Sequence, residues 1–103
     1  MKFKVYLDYY WHEELFWNET VVRLFDIARK LEEAEFEVSE IYNKEFNQKM
    51  ADTYEDGPYI IVEIETLEDF IKFCKTVGHI VDVGYAPVYY NRDEKYSYLT
   101  ILQ

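Results

Sequence analysis

The sequence predicts a single α+β domain over residues 1–103, and three observations predict it. The N-terminal stretch alternates apolar and polar residues with a period of two, as a half-buried strand does. Two later stretches repeat apolar residues at three- and four-residue steps behind a capping residue, the pattern of amphipathic helices. Short β-branched and aromatic runs lie between and after them. Half of the residues are apolar and 19% aromatic, with only three glycines and two prolines, so regular elements joined by few tight turns are expected.

The chain opens with KFKVYLDYYW, where Phe3, Val5, Leu7 and Tyr9 point one way and Lys2, Lys4, Tyr6 and Asp8 the other. His12 to Trp17 is expected to be a loop or a short helical turn. Asn18 then caps a helix from about Glu19 to Ala34, with Val21, Leu24, Phe25, Ala28 and Leu31 inward and Arg23, Asp26, Lys30 and Glu33 in water. Glu35 to Asn43 forms a second strand whose parity slips around Ser39–Glu40, so a bulge or an edge strand is expected there. Phe46 to Gly57 is a polar connection. Tyr59 to Glu65 is a strand with Ile60, Val62 and Ile64 inward. Thr66 caps the next helix with Asp69 at its third position; Leu67, Phe70, Ile71, Cys74 and Val77 form its stripe, and Gly78 ends it. A strand over Ile80–Tyr85 follows, then a hairpin of Val88–Tyr90 and Tyr96–Leu102.

Strand, helix, strand, strand, helix, strand is the order of a ferredoxin-like split βαβ sandwich, an antiparallel sheet with two helices on one face, here with an added C-terminal hairpin. The second sheet face is expected to lie partly open, carrying Lys2, Lys4, Tyr6, Glu35, Glu37, Ile61, Glu63 and Glu65.

Charge is distributed unevenly along this order. Of 21 acidic residues, 13 lie between Leu31 and Phe70, accompanied only by Lys44 and Lys49, while the rest of the chain is nearly balanced. The formal net charge of −10 therefore belongs to the middle of the chain. Such a field attracts basic surfaces and repels nucleic acid and anionic membranes. Solubility alone needs no clustering and usually mixes signs.

Catalytic patterns are not apparent. His12 lies in WHEEL, which lacks the second histidine of a zinc-binding HExxH. His79 follows a predicted helix C-terminus, where the dipole favours an imidazolium. Cys74 sits on an apolar stripe, where a protonated thiol packs as a small hydrophobe. Asp52 to Gly57 lacks the alternating ligands and distant glutamate of a calcium loop. Clustered lysine and arginine, which phosphate binding requires, are missing too. No enzyme activity, cofactor, metal, direct nucleic-acid contact or membrane contact is expected. One cysteine, no apolar run of about 20 residues and no signal-peptide pattern lead to an expected cytoplasmic location, in the host cell if the protein is viral.

The stretch PYIIVEIETLEDFIKFCKTVGHIVDV, Pro58 to Val83, resembles the strand–helix–strand unit of many small phage and prophage proteins. The short, acidic, aromatic profile is similar to that of phage-encoded inhibitors of host defence, the anti-restriction and anti-CRISPR proteins that mimic DNA. The resemblance implies a mode of action, with a carboxylate-bearing surface occupying the basic nucleic-acid groove of a nuclease or effector complex. It carries over no individual residue. The expected function is a non-enzymatic inhibitor whose contacts are Glu32, Glu33, Glu35, Glu37, Glu40, Asp52, Glu55 and Asp56, acids outside the predicted core. The alternative is a small interaction module that homodimerises or docks through the tyrosines, which number 11 and gather near both ends of the chain.

Overall fold

The computed structural model describes residues 1–8, 11–53, 57–78, 81–83 and 96–102. Their elements are β1 (Lys2–Asp8), α1 (Glu14–Glu33), α2 (Gln48–Thr53), β2 (Ile60–Glu63), α3 (Leu67–Val77), β3 (Val81–Val83) and β4 (Ser97–Leu102). The strands form one sheet in the order β2-β1-β4-β3. β1 is antiparallel to β2, with Lys2 opposite Glu63 and Val5 opposite Ile60. It is parallel to β4, with Phe3 opposite Ser97 and Leu7 opposite Ile101. β3 is antiparallel to β4.

The fold is α+β, but the sheet is mixed where an antiparallel one is expected. The cause is β4, which inserts between β1 and β3. Tyr98, Leu99, Thr100 and Ile101 are all buried, so this strand is covered on both faces, as an interior position requires. Val88–Tyr90, the other arm of the expected hairpin, lies outside the described residues.

α1 and α3 pack on the same sheet face. The main core joins Val5, Leu7, Ile60, Val62, Leu99 and Ile101 of the sheet to Leu24, Ile27, Ala28 and Leu31 of α1 and to Phe73 and Val77 of α3. Helix phase departs from expectation at three residues. Phe25, Leu67 and Ile71 face solvent, and Ile27 and Phe73 are buried in their place. Phe25 and Ile27, like Ile71 and Phe73, are two residues apart and so about 160° apart around the helix, and contact with the sheet covers one of each pair and leaves the other in water. α1 also starts earlier than expected, at Glu14, so Asn18 is an exposed helical residue. The extra turn delivers Trp17 to the interior. Thr20 is fully buried because its Oγ1 donates to the Phe16 carbonyl at 2.8 Å.

α1 ends in a Schellman arrangement. The Phe36 amide donates to Leu31 O and the Glu35 amide to Glu32 O, both at 2.9 Å. Glu35 occupies the left-handed position, φ 70°, that usually belongs to glycine. α3 follows expectation at its ends. The Asp69 amide donates to Thr66 Oγ1 at 3.1 Å, and Gly78 is left-handed at φ 71°.

The segment after α1 forms a bulged edge along β2. Val38 bridges Val62 and Tyr42 bridges Tyr59, so four steps on one chain oppose three on the other. At the bulge the Ser39 amide donates to Ile61 O, while the Ile61 amide donates to Ser39 Oγ. A hydroxyl thus takes the place of a backbone carbonyl. The connection that follows holds more structure than a polar loop. Asn47 Oδ1 accepts from the Lys49 and Met50 amides to start α2. Ala51 then packs with Trp11 and Trp17 in a second apolar cluster flanked by Phe46 and Met50. Trp17 Nε1 donates to Asn43 O at 2.9 Å, and its ring meets Phe46 edge-on.

Gly57 closes this cluster from the other side, and a Cβ there would stand 2.6 Å from the Trp11 ring. Gly57→Ala is expected to cost about 1–3 kcal/mol through overpacking of a ring that cannot swing aside. Gly78→Ala meets open space and is expected to cost about 1–2 kcal/mol through its left-handed backbone alone. Urea unfolding of both variants, with far-UV dichroism, checks the two values. Equal stability of Gly57→Ala and the parent chain would contradict the packing described.

Candidate functional site

The C-terminal end of α1 concentrates acid where a helix least favours it. Glu32 and Glu33 occupy its last turn and Glu35 the residue past its cap, all exposed. The last carbonyls of a helix carry partial negative charge, so carboxylates there are repelled while cations are favoured. The chain then turns back along α1. Glu37 and Glu40, both exposed, lie on the edge segment as it runs from Phe36, in the core, to Asn43, which receives the Trp17 hydrogen bond near the start of α1. Glu37 O accepts from the Glu63 amide, and Glu37 and Glu63 line one shallow cavity of about 230 Å³ with Lys2, Val38, Ser39 and Ile61.

Glu32, Glu33 and Glu35 at the end of α1 and Glu37 and Glu40 on the sheet edge thus make an acidic rim that follows the chain; Glu32 lines a groove on α1 with Val22 and Phe25, while Glu37 lines the cavity beside Lys2. Asp52 is separate. It is exposed on α2, accepts from Gln48 Nε2 at 2.7 Å, and sits by the first turns of α1, a helix about 30 Å long. Glu55 and Asp56 lie outside the described residues. Among the described residues, none of Glu32, Glu33, Glu35, Glu37, Glu40 or Asp52 forms an ion pair.

The neighbouring acids Glu63 and Glu65 are held differently. The N-terminal ammonium of Met1 lies 2.8 Å from Glu63 and 3.6 Å from Glu65. Hydrogen bonding between the two carboxyls, aided by the ammonium, holds Glu63 below the usual carboxylate range. The same carboxyl–carboxyl contact pushes Glu65 above it. The Glu63 contact in turn raises the pKa of the ammonium. On α1, Asp26 is held low by hydrogen bonds from Arg29 at 2.7 Å and then Lys30 at 3.2 Å. Its folded-state pKa is depressed, so its contribution is full above the unfolded value of 3.8 and fades as pH falls through the lower folded value.

Of the residues expected on the open sheet face, Lys2, Glu35, Glu37 and Glu65 are exposed and Ile61 and Glu63 partly so, but Lys4 and Tyr6 are covered. Lys4 is 6% exposed and Tyr6 0%. The Lys4 ammonium lies 4.7 Å from the centre of the Tyr59 ring, 5.5 Å from Tyr96 and 6.0 Å from Tyr98. Tyr6 stacks on Tyr98 and tilts against Tyr59, which stacks in turn on Tyr42. Cation–π attraction strengthens as water is removed, which is how an alternating lysine becomes interior. Burial withdraws Tyr6 and Tyr98 from any docking surface. Tyr9, Tyr10, Tyr85, Tyr89 and Tyr90 lie outside the described residues. Sequence reasoning missed this arrangement; the signal was Tyr6 two residues on, on the same face of β1, with Tyr98 opposite Lys4 on β4.

Burial raises the pKa of the Cys74 thiol, which keeps it protonated. His12 is half-buried with its ring centre 6.1 Å from that of Trp11, and His79 lies outside the described residues. Among the described residues, no three histidine, cysteine or acidic side chains gather closely enough to hold a metal ion, and no helix is long and apolar enough to cross a membrane. Comparison with family models, curated proteins and solved structures finds no match to this chain.

Carboxylate titration by NMR is expected to find Glu63 below and Glu65 above the ordinary range. Removing one partner in Glu65→Ala is expected to move Glu63 upward. An unchanged Glu63 titration would dissolve the pair.

Proposed function

We propose that the protein is a non-enzymatic inhibitor that binds a basic nucleic-acid-handling protein through its acidic rim, in the manner of a DNA mimic. One observation carries the reading. Glu32, Glu33 and Glu35 crowd the negative end of α1, exposed and, among the described residues, without ion pairs, and Glu35 also holds a left-handed backbone that glycine adopts at lower cost. The helix dipole disfavours all three, offset for Glu33 in part by attraction to Arg29. Glu37 and Glu40 extend the same charge along the sheet edge.

Binding by such a rim is fast and salt-sensitive, because charge complementarity acts on encounter and is screened over about 10 Å at 0.1 M salt. Glu55 and Asp56 belong to this proposal as further acids of the same block. We read the scaffold as a ferredoxin-like split βαβ in which the C-terminal strand has entered the sheet beside β1. A cytoplasmic setting, that of the host cell for a viral protein, fits a target that handles nucleic acid.

The quadruple variant Glu32→Lys/Glu33→Lys/Glu37→Lys/Glu40→Lys separates function from folding. It is expected to lose capture of nucleases and other nucleic-acid-binding proteins from a cell extract at low salt, which duplex DNA displaces from the parent chain. Its thermal stability is expected to hold or rise, by about 0.3–1 kcal/mol per favourable charge at the helix end. Capture that survives the reversal, or that DNA fails to displace, rejects the reading.

A further inference from the structure

We draw no further inference here: the strongest candidate, the exposed apolar face of α1 formed by Leu15, Val22 and Phe25 beside the groove at Ala28, carries nothing because nothing in the structure shows what covers it.

Discussion

Everything in this molecule is organised around a strand that has no solvent face. β1 pairs along both edges, and its residues Lys4 to Leu7 are buried in succession. Val5 and Leu7 enter the core under α1 and α3, a setting that asks only for apolar volume. Lys4 and Tyr6 enter the opposite layer, where burial of an ammonium has to be offset. The tyrosine rings of β4 and of Tyr59 do so, since their faces present negative charge without carrying a full one. The aromatic richness of the chain thus serves the interior in part.

Two kinds of acid follow from this arrangement. Asp26, Glu63 and Glu65 lie within reach of cations or of one another, and their affinities for protons are displaced accordingly. The acids from Glu32 to Glu40 form no ion pair among the described residues, and only a longer-range attraction ties Glu33 to Arg29. Crowding of Glu32, Glu33 and Glu35 at the negative end of α1 is a cost to the fold. A stabilised variant of this domain is therefore easiest to obtain where its charge is densest, which is the usual relation between a binding surface and the scaffold that bears it.

How much of this was legible in the sequence differed by element for physical reasons. β2 and α3 were plain, because Ile60, Val62 and Ile64 alternate strictly and because Thr66, Asp69 and Gly78 fix helix ends through local hydrogen bonds. The slip at Ser39–Glu40 marked a true bulge, since parity is a local property of the chain. Helix phase was less legible: Phe25 and Ile27 are both large and apolar, as are Ile71 and Phe73, and only the sheet decides which of each pair is covered. The burial of Lys4 and the parallel insertion of β4 were invisible, because each depends on partners more than 50 residues away. Of the proposed contacts, the five glutamates from Glu32 to Glu40 are neighbours because they are close in sequence, while Asp52 stands apart from the end of α1, on α2 beside that helix's first turns.

The satellite cluster by α2 has an optical consequence. The chain contains two tryptophans, and both belong to this small group, with none in the main core. Indole emission is therefore a local gauge, sensitive to detachment of α2 from the start of α1 and nearly blind to the sheet. Fluorescence and dichroism that melt at different points would report two cooperative units within one short chain, with a populated species in which this cluster and the main core are not folded together.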